Sequence, residues 1–202
     1  MAWRGDEVKM LKDMTTEELW QLFPIVLKEH NSAYAVWYSD EEARLLNILR
    51  DYDVCRISHI GSTAVDGLVA KPTIDILLEL PETYNFDAVF SALENDGWLV
   101  MAKDDSDKTI DLNKGYTPNG FAEKVFHLHI KPYGDWNELY FRDYLREHSG
   151  VARQYEMLKL SLKEKYEYNR DAYTEAKTDF IVAQTQKARE EFGGLYLPRK
   201  SM

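Results

Sequence analysis

The chain carries one cysteine in 202 residues, with six prolines and ten glycines. A lone thiol, Cys55, excludes an internal disulfide and fits a reducing compartment. No apolar run approaches the roughly 20 residues that cross a bilayer. The opening "MAWRGDEVKMLKDMTTEELW" alternates charge with apolar side chains and lacks the unbroken core of a signal peptide. A cytoplasmic protein with no membrane partner is expected. Basic residues are also scarce, 25 Lys and Arg against 35 Asp and Glu, for a net charge of −10. Repulsion from a phosphate backbone therefore disfavours nucleic acid as a partner. Internal repeats and low-complexity linkers are missing too, so disorder is not expected beyond the ends.

What is present is ordinary for a globular chain, 45% hydrophobic and 30% charged. A chain of this length buries roughly 70% of its unfolded surface without staples. In "DMTTEELWQLF", Thr15 followed three residues later by Glu18 is a capping box for a short helix that Pro24 ends. "SDEEARLLNILRDY" predicts a second helix capped by Ser39 or Asp40. "DVCRISHIG" and "PTIDILLEL" read as strands, and "NFDAVFSALENDG" as a helix closed by Gly97. "WLVMAKD" is a third strand, and 104–124 predicts loops around a short strand near "IDLNKGY". "KVFHLHIKP" is a further strand. Helices then follow near 136–147, 150–167 and from 171 to about 191, the last capped by Asp171. The order predicts an α+β unit over 1–134 with N-terminal helices, and a helical extension over 135–202 packed on it.

Two strands carry ionisable groups on one face. In "PTIDILLEL", Ile74, Ile76, Leu78 and Leu80 form an apolar face, opposite Thr73, Asp75, Leu77 and Glu79. In "KVFHLHIKP", Phe126, Leu128 and Ile130 oppose Val125, His127, His129 and Lys131. In one sheet, Asp75, His127 and His129 would meet, as a divalent-metal site or an acid–base group. Alternation alone fits a solvated sheet face equally well. Just upstream, Gly61-Ser62 ends a strand; glycine admits close approach of a phosphate, and Ser62 and Thr63 offer donors.

Gly61-Ser62, twelve intervening residues and then Asp75 resemble the signature of the nucleotidyltransferase superfamily. The run "HIGSTAVDGLVAKPTIDI" is closer still to the GrpB family, and the likeness continues through "FHLHI", "FRDYLR" and "DAYTEAKTDFI", roughly residues 20–190. The resemblance implies a mixed sheet with flanking helices, a nucleoside triphosphate held at the Gly-Ser turn, and acids that bind divalent metal for nucleotidyl transfer. Gly61, Ser62 and Asp75 match that pattern. Leu77 stands where a second acid is expected, His127 and His129 where a third would come, and Val65-Asp66-Gly67 replaces Val-Pro-Gly. Glu79, about 13 Å along the strand at roughly 3.3 Å per residue, cannot serve the same ion. A single-metal site of Asp75, His127 and His129 is the arrangement left, with Mg, Mn or Zn as candidates.

Other residues have two readings. His59 either touches a phosphate or orients Asp75, or else is a structural histidine. Lys71 either faces a bound anion or is an ordinary surface lysine. Arg142 and Arg146, one turn apart, either clamp a phosphate or pair with Asp143, Glu147 and Glu156. Lys177 borders the packed stripe of its helix and is assigned to the site. The stripe of Tyr155, Leu158, Leu162 and Tyr166 reads as core packing. The leading functional reading is a small phosphorylated ligand with metal-dependent nucleotidyl transfer. A silent phospholigand-binding or regulatory module with a protein partner, and a His/Asp metal-dependent hydrolase, are the alternatives.

Overall fold

Thr15 accepts a hydrogen bond from the Glu18 amide while Glu18 reaches back to the Thr15 amide, so the capping box opens α1 (Thr16–Leu22). The computed structural model describes residues 9–198. After α1 come α2 (Ala33–Ile48), β1 (Arg56–Ile60), β2 (Ile74–Leu80), α3 (Phe86–Glu94), β3 (Leu99–Asp104), β4 (Thr109–Thr117) and β5 (Gly120–Pro132). Four helices close the chain: α4 (Asn137–Glu147), α5 (Ser149–Tyr166), α6 (Arg170–Glu175) and α7 (Thr178–Phe192).

The five strands form one mixed sheet in the order β1-β2-β5-β4-β3. β2 and β5 run parallel at its centre, and the remaining neighbours are antiparallel. Ile74, Ile76, Leu78 and Leu80 are fully buried against Leu45 of α2, Leu49 at its C-cap, and Val89 and Leu93 of α3. This is the face that the period-two pattern of β2 assigns to the core. The opposite face looks toward the C-terminal helices. Leu77 packs with Ile60 and with Leu139 of α4, while Val65 and Leu68 pack with Leu145 and Tyr155. The architecture is α+β, with helices on both sides of the sheet.

Three expectations are corrected. α2 begins at Ala33 rather than at Ser39 or Asp40, which lie mid-helix. The Asn31 side chain accepts from the Ala33 amide, and Tyr34, buried in the core, anchors the first turn. The segment 104–124 is not loops around a short strand but the hairpin of β4 and the first half of β5. The predicted helix 171–191 is two helices, α6 and α7, separated at Ala176 and Lys177, and Asn169 rather than Asp171 caps α6 through its side chain. Among the described residues no helix is long and apolar enough to cross a membrane.

Candidate functional site

β1 ends at Ile60, and Gly61 turns the chain with φ +70°. A Cβ at Gly61 would overlap the Asp75 carboxylate, so the backbone here lies directly against that acid. Glycine is required twice over, by the dihedral and by the contact. Ser62–Ala64 then forms a single 3-10 turn. Asp75 and His127 face one another across the parallel β2–β5 pair, and Asp111 and His129 across β4–β5.

These pairings fix the protons. His127 Nδ1 donates to Asp75 Oδ1 (3.1 Å), so its Nε2 accepts from the Tyr116 hydroxyl (2.8 Å). Arg170 Nη2 in turn donates to the Tyr116 oxygen (3.0 Å). Burial lowers His127 despite Asp75, which leaves it neutral. Burial pushes Asp75 up, but the His127 hydrogen bond and the charges of His129 and Lys71 outweigh it, and Asp75 ends below the usual carboxylate range. His129 Nδ1 donates to Asp111 Oδ1 (2.7 Å). Burial would lower His129 as well, yet Asp111, Asp75 and Glu138 hold it above the ordinary histidine value.

Gly61, Ser62, Asp75, His127 and His129 all line a cavity of about 620 Å³ between the sheet and helices α4–α7. Lys71, Lys159, Arg170 and Lys177 line it as well. Lys159, 2% exposed, donates to Ser62 Oγ (3.1 Å) and to the Val69 carbonyl, tying the Gly-Ser turn to α5. Burial takes Lys71 and Lys159 down to about 7 and Lys177 to about 8, with neighbouring cations adding to the effect. Among the described residues none of these four cations forms an ion pair with a carboxylate. Of the acids that line the cavity, Asp75 pairs with His127 and Glu138 with Lys131.

The other expected site residues lie outside the cavity lining. His59 is stacked on Tyr38 (ring centroids 4.8 Å apart), and its Nε2 donates to Thr63 Oγ1 (3.0 Å), since the Thr63 hydroxyl itself donates to the Thr73 carbonyl. Burial lowers His59 to about 4. Arg142 donates to the His59 carbonyl (3.0 Å) and Arg146 to the Ala64 carbonyl (2.9 Å), and both meet Asp143. The two arginines hold the two ends of the Gly-Ser turn from behind. Glu79, fully buried, pairs with Arg56 and accepts from the Gly134 amide, far from Asp75 in role as in position. Lys159, Arg170, Tyr116 and Asp111 were not singled out from sequence. The one local signal was Lys159 standing a turn beyond Tyr155, on the stripe that the helix buries.

The acids and histidines do not make the expected metal centre. Both His127 nitrogens are engaged, His129 donates Nδ1 to Asp111 and keeps Nε2 open among the described residues, and Leu77 is fully buried among apolar side chains. Among the described residues no group of three or more His, Cys, Asp or Glu is placed to hold a metal ion together. With Leu77 in place of the second acid, the donor set does not fit a two-metal arrangement.

The fold is a five-stranded mixed sheet with helices on both sides, a Gly-Ser turn at the end of one strand and a carboxylate on the next. The chain belongs to the GrpB family, whose model, described as GrpB protein, matches residues 24–187. The glutamate-rich protein GrpB of Alkalihalophilus pseudofirmus is 33% identical over 78% of this chain and 91% of its own length. A UPF0157 protein of Pseudomonas aeruginosa is 36% identical over 62% of this chain and 52% of its own, so the chain spans about half of that relative. The crystal structure of GrpB from Enterococcus faecalis superposes with a TM-score of 0.73 at 28% identity, covering 83% of this chain and 99% of that one.

Proposed function

We propose that this protein binds a small phosphorylated molecule, with a nucleotide as the leading candidate, in the cavity between the sheet and α4–α7. The observation that carries the reading is the gathering of Lys71, Lys159, Lys177 and Arg170 around Gly61-Ser62 in a chain whose net charge is −10. Four unpaired cations in a partly dehydrated cavity are costly unless an anion offsets them. The open backbone at Gly61 gives a phosphate oxygen room beside the Ser62 hydroxyl. Apolar lining from Ile25, Phe141, Tyr173 and Ile181 suits the remainder of an organic phosphate. Nucleotidyl transfer through two metals is outside this reading, because it needs an acid where Leu77 stands.

Thermal unfolding in the presence of nucleotides and sugar phosphates tests it. A ligand at a hundredfold excess over its dissociation constant adds about 2.7 kcal/mol, a rise of roughly 5–10 °C for a chain of this size. The rise should vanish in Ser62→Ala combined with Lys177→Gln. Absence of any shift across the panel would remove the reading.

A further inference from the structure

Nucleotidyltransferase-like folds neutralise phosphate with divalent ions held on paired acids. Here the second acid position is Leu77, sealed into an apolar cluster with Ile60 and Leu139. Asp75 is committed to His127, whose other ring nitrogen is turned to Tyr116. Positive charge is supplied instead by side chains from four elements: Lys71 just before β2, Lys159 on α5, Arg170 on α6 and Lys177 at the α6–α7 junction. Resting on the phospholigand reading above, we infer that this cavity takes its ligand as the metal-free polyphosphate anion, the three lysines and Arg170 standing in for the divalent cations.

Two further features agree. Thr185 is 5% exposed, lines the cavity and has a buried hydroxyl with no hydrogen-bond partner, so a polar ligand group would satisfy it. Arg170 is already oriented by the Phe23 carbonyl (3.3 Å) and the Tyr116 hydroxyl (3.0 Å), which hold its guanidinium at the cavity wall. A divalent ion arriving with the phosphate would bring two more positive charges among these four and find two carboxylates, Asp75 and Glu138, each already paired. Like-charge repulsion then opposes the complex rather than assisting it.

Inorganic tripolyphosphate is the probe, titrated calorimetrically in excess EDTA and again with excess Mg²⁺, at a pH just below the value of about 7 that Lys71 and Lys159 reach. Binding in EDTA that weakens about tenfold or more with Mg²⁺ is expected. Lys177→Gln, at a half-buried position, and Lys71→Gln should each weaken binding about tenfold or more in EDTA and retain the native circular dichroism. Binding that requires Mg²⁺, or tightens with it, overturns metal-free binding while leaving the phospholigand reading standing. No binding under either condition overturns the metal-free polyphosphate site, and the nucleotide and sugar-phosphate panel then decides the phospholigand reading.

Discussion

Along β5, His127 and His129 present their rings to the same side of the sheet, and the surroundings of each ring decide its charge. His127 meets Asp75, but burial of the ring outweighs that carboxylate, and Lys71 further disfavours a cation beside it. His129 meets Asp111 and also feels Asp75 and Glu138. The nearer histidine to the Gly-Ser turn is thus kept neutral, fixed by Tyr116, while the other is favoured as imidazolium. A proton-detected NMR titration should place His129 above the usual 6.5 and His127 below it. Asp111→Asn should bring His129 down, since it removes the anion that pairs with the ring, and should move His127 little. A His129 titration unchanged by Asp111→Asn would assign its protonation to the other carboxylates.

At the scale of elements, the Arg56–Glu79 pair joins β1, β2 and the turn after β5. Glu79 is fully buried, Arg56 also donates to the Gly134 carbonyl, and the Gly134 amide donates back to Glu79 (3.0 Å). Removing one member of a buried pair strands the other, at about 3–5 kcal/mol. Urea unfolding of Glu79→Ala should show a loss of that order, and Glu79→Gln, which keeps an acceptor for Arg56, a smaller one. A loss well under 1 kcal/mol for Glu79→Ala would mean that water replaces the carboxylate. Glu79 was legible from sequence as a residue of the ionisable face but not as this clasp, because its partner lies 23 positions earlier and the turn 55 later. The same separation explains the other gaps. β2 and the centre of β5 announce themselves by alternation, and Gly61, Ser62 and Asp75 by their spacing within one short span. β4 is disguised by the irregularity at Gly115, a positive-φ residue packed on the Lys124 carbonyl, and by the Pro118-Asn119 turn. Lys159 and Arg170 enter the site only when helices from the end of the chain dock on the sheet, which no local pattern encodes.

For the whole molecule, the contrast is between an acidic chain and a basic cavity inside it. Burial and mutual repulsion take Lys71 and Lys159 to about 7 and Lys177 to about 8, against an ordinary 10.5. Between those values the unfolded chain binds more protons than the folded one. Stability therefore rises with pH across the window, from about 7 toward 10, before the ordinary lysine value is reached. A bound polyphosphate reverses the cause, since its charge pulls the lysines back toward their ordinary value. Binding near pH 8 must then take up protons, affinity must fall as pH rises, and the stability slope must flatten in the complex. Denaturation midpoints across the window, with and without tripolyphosphate, measure the slope. Calorimetry in two buffers of different ionisation enthalpy counts the protons directly. A ligand-free slope that falls in Lys71→Gln with Lys177→Gln, leaving only the share of Lys159, assigns it to the cavity. A flat profile in the unsubstituted protein would mean that the lysines stay charged and hydrated, and that water already offsets their burial and mutual repulsion.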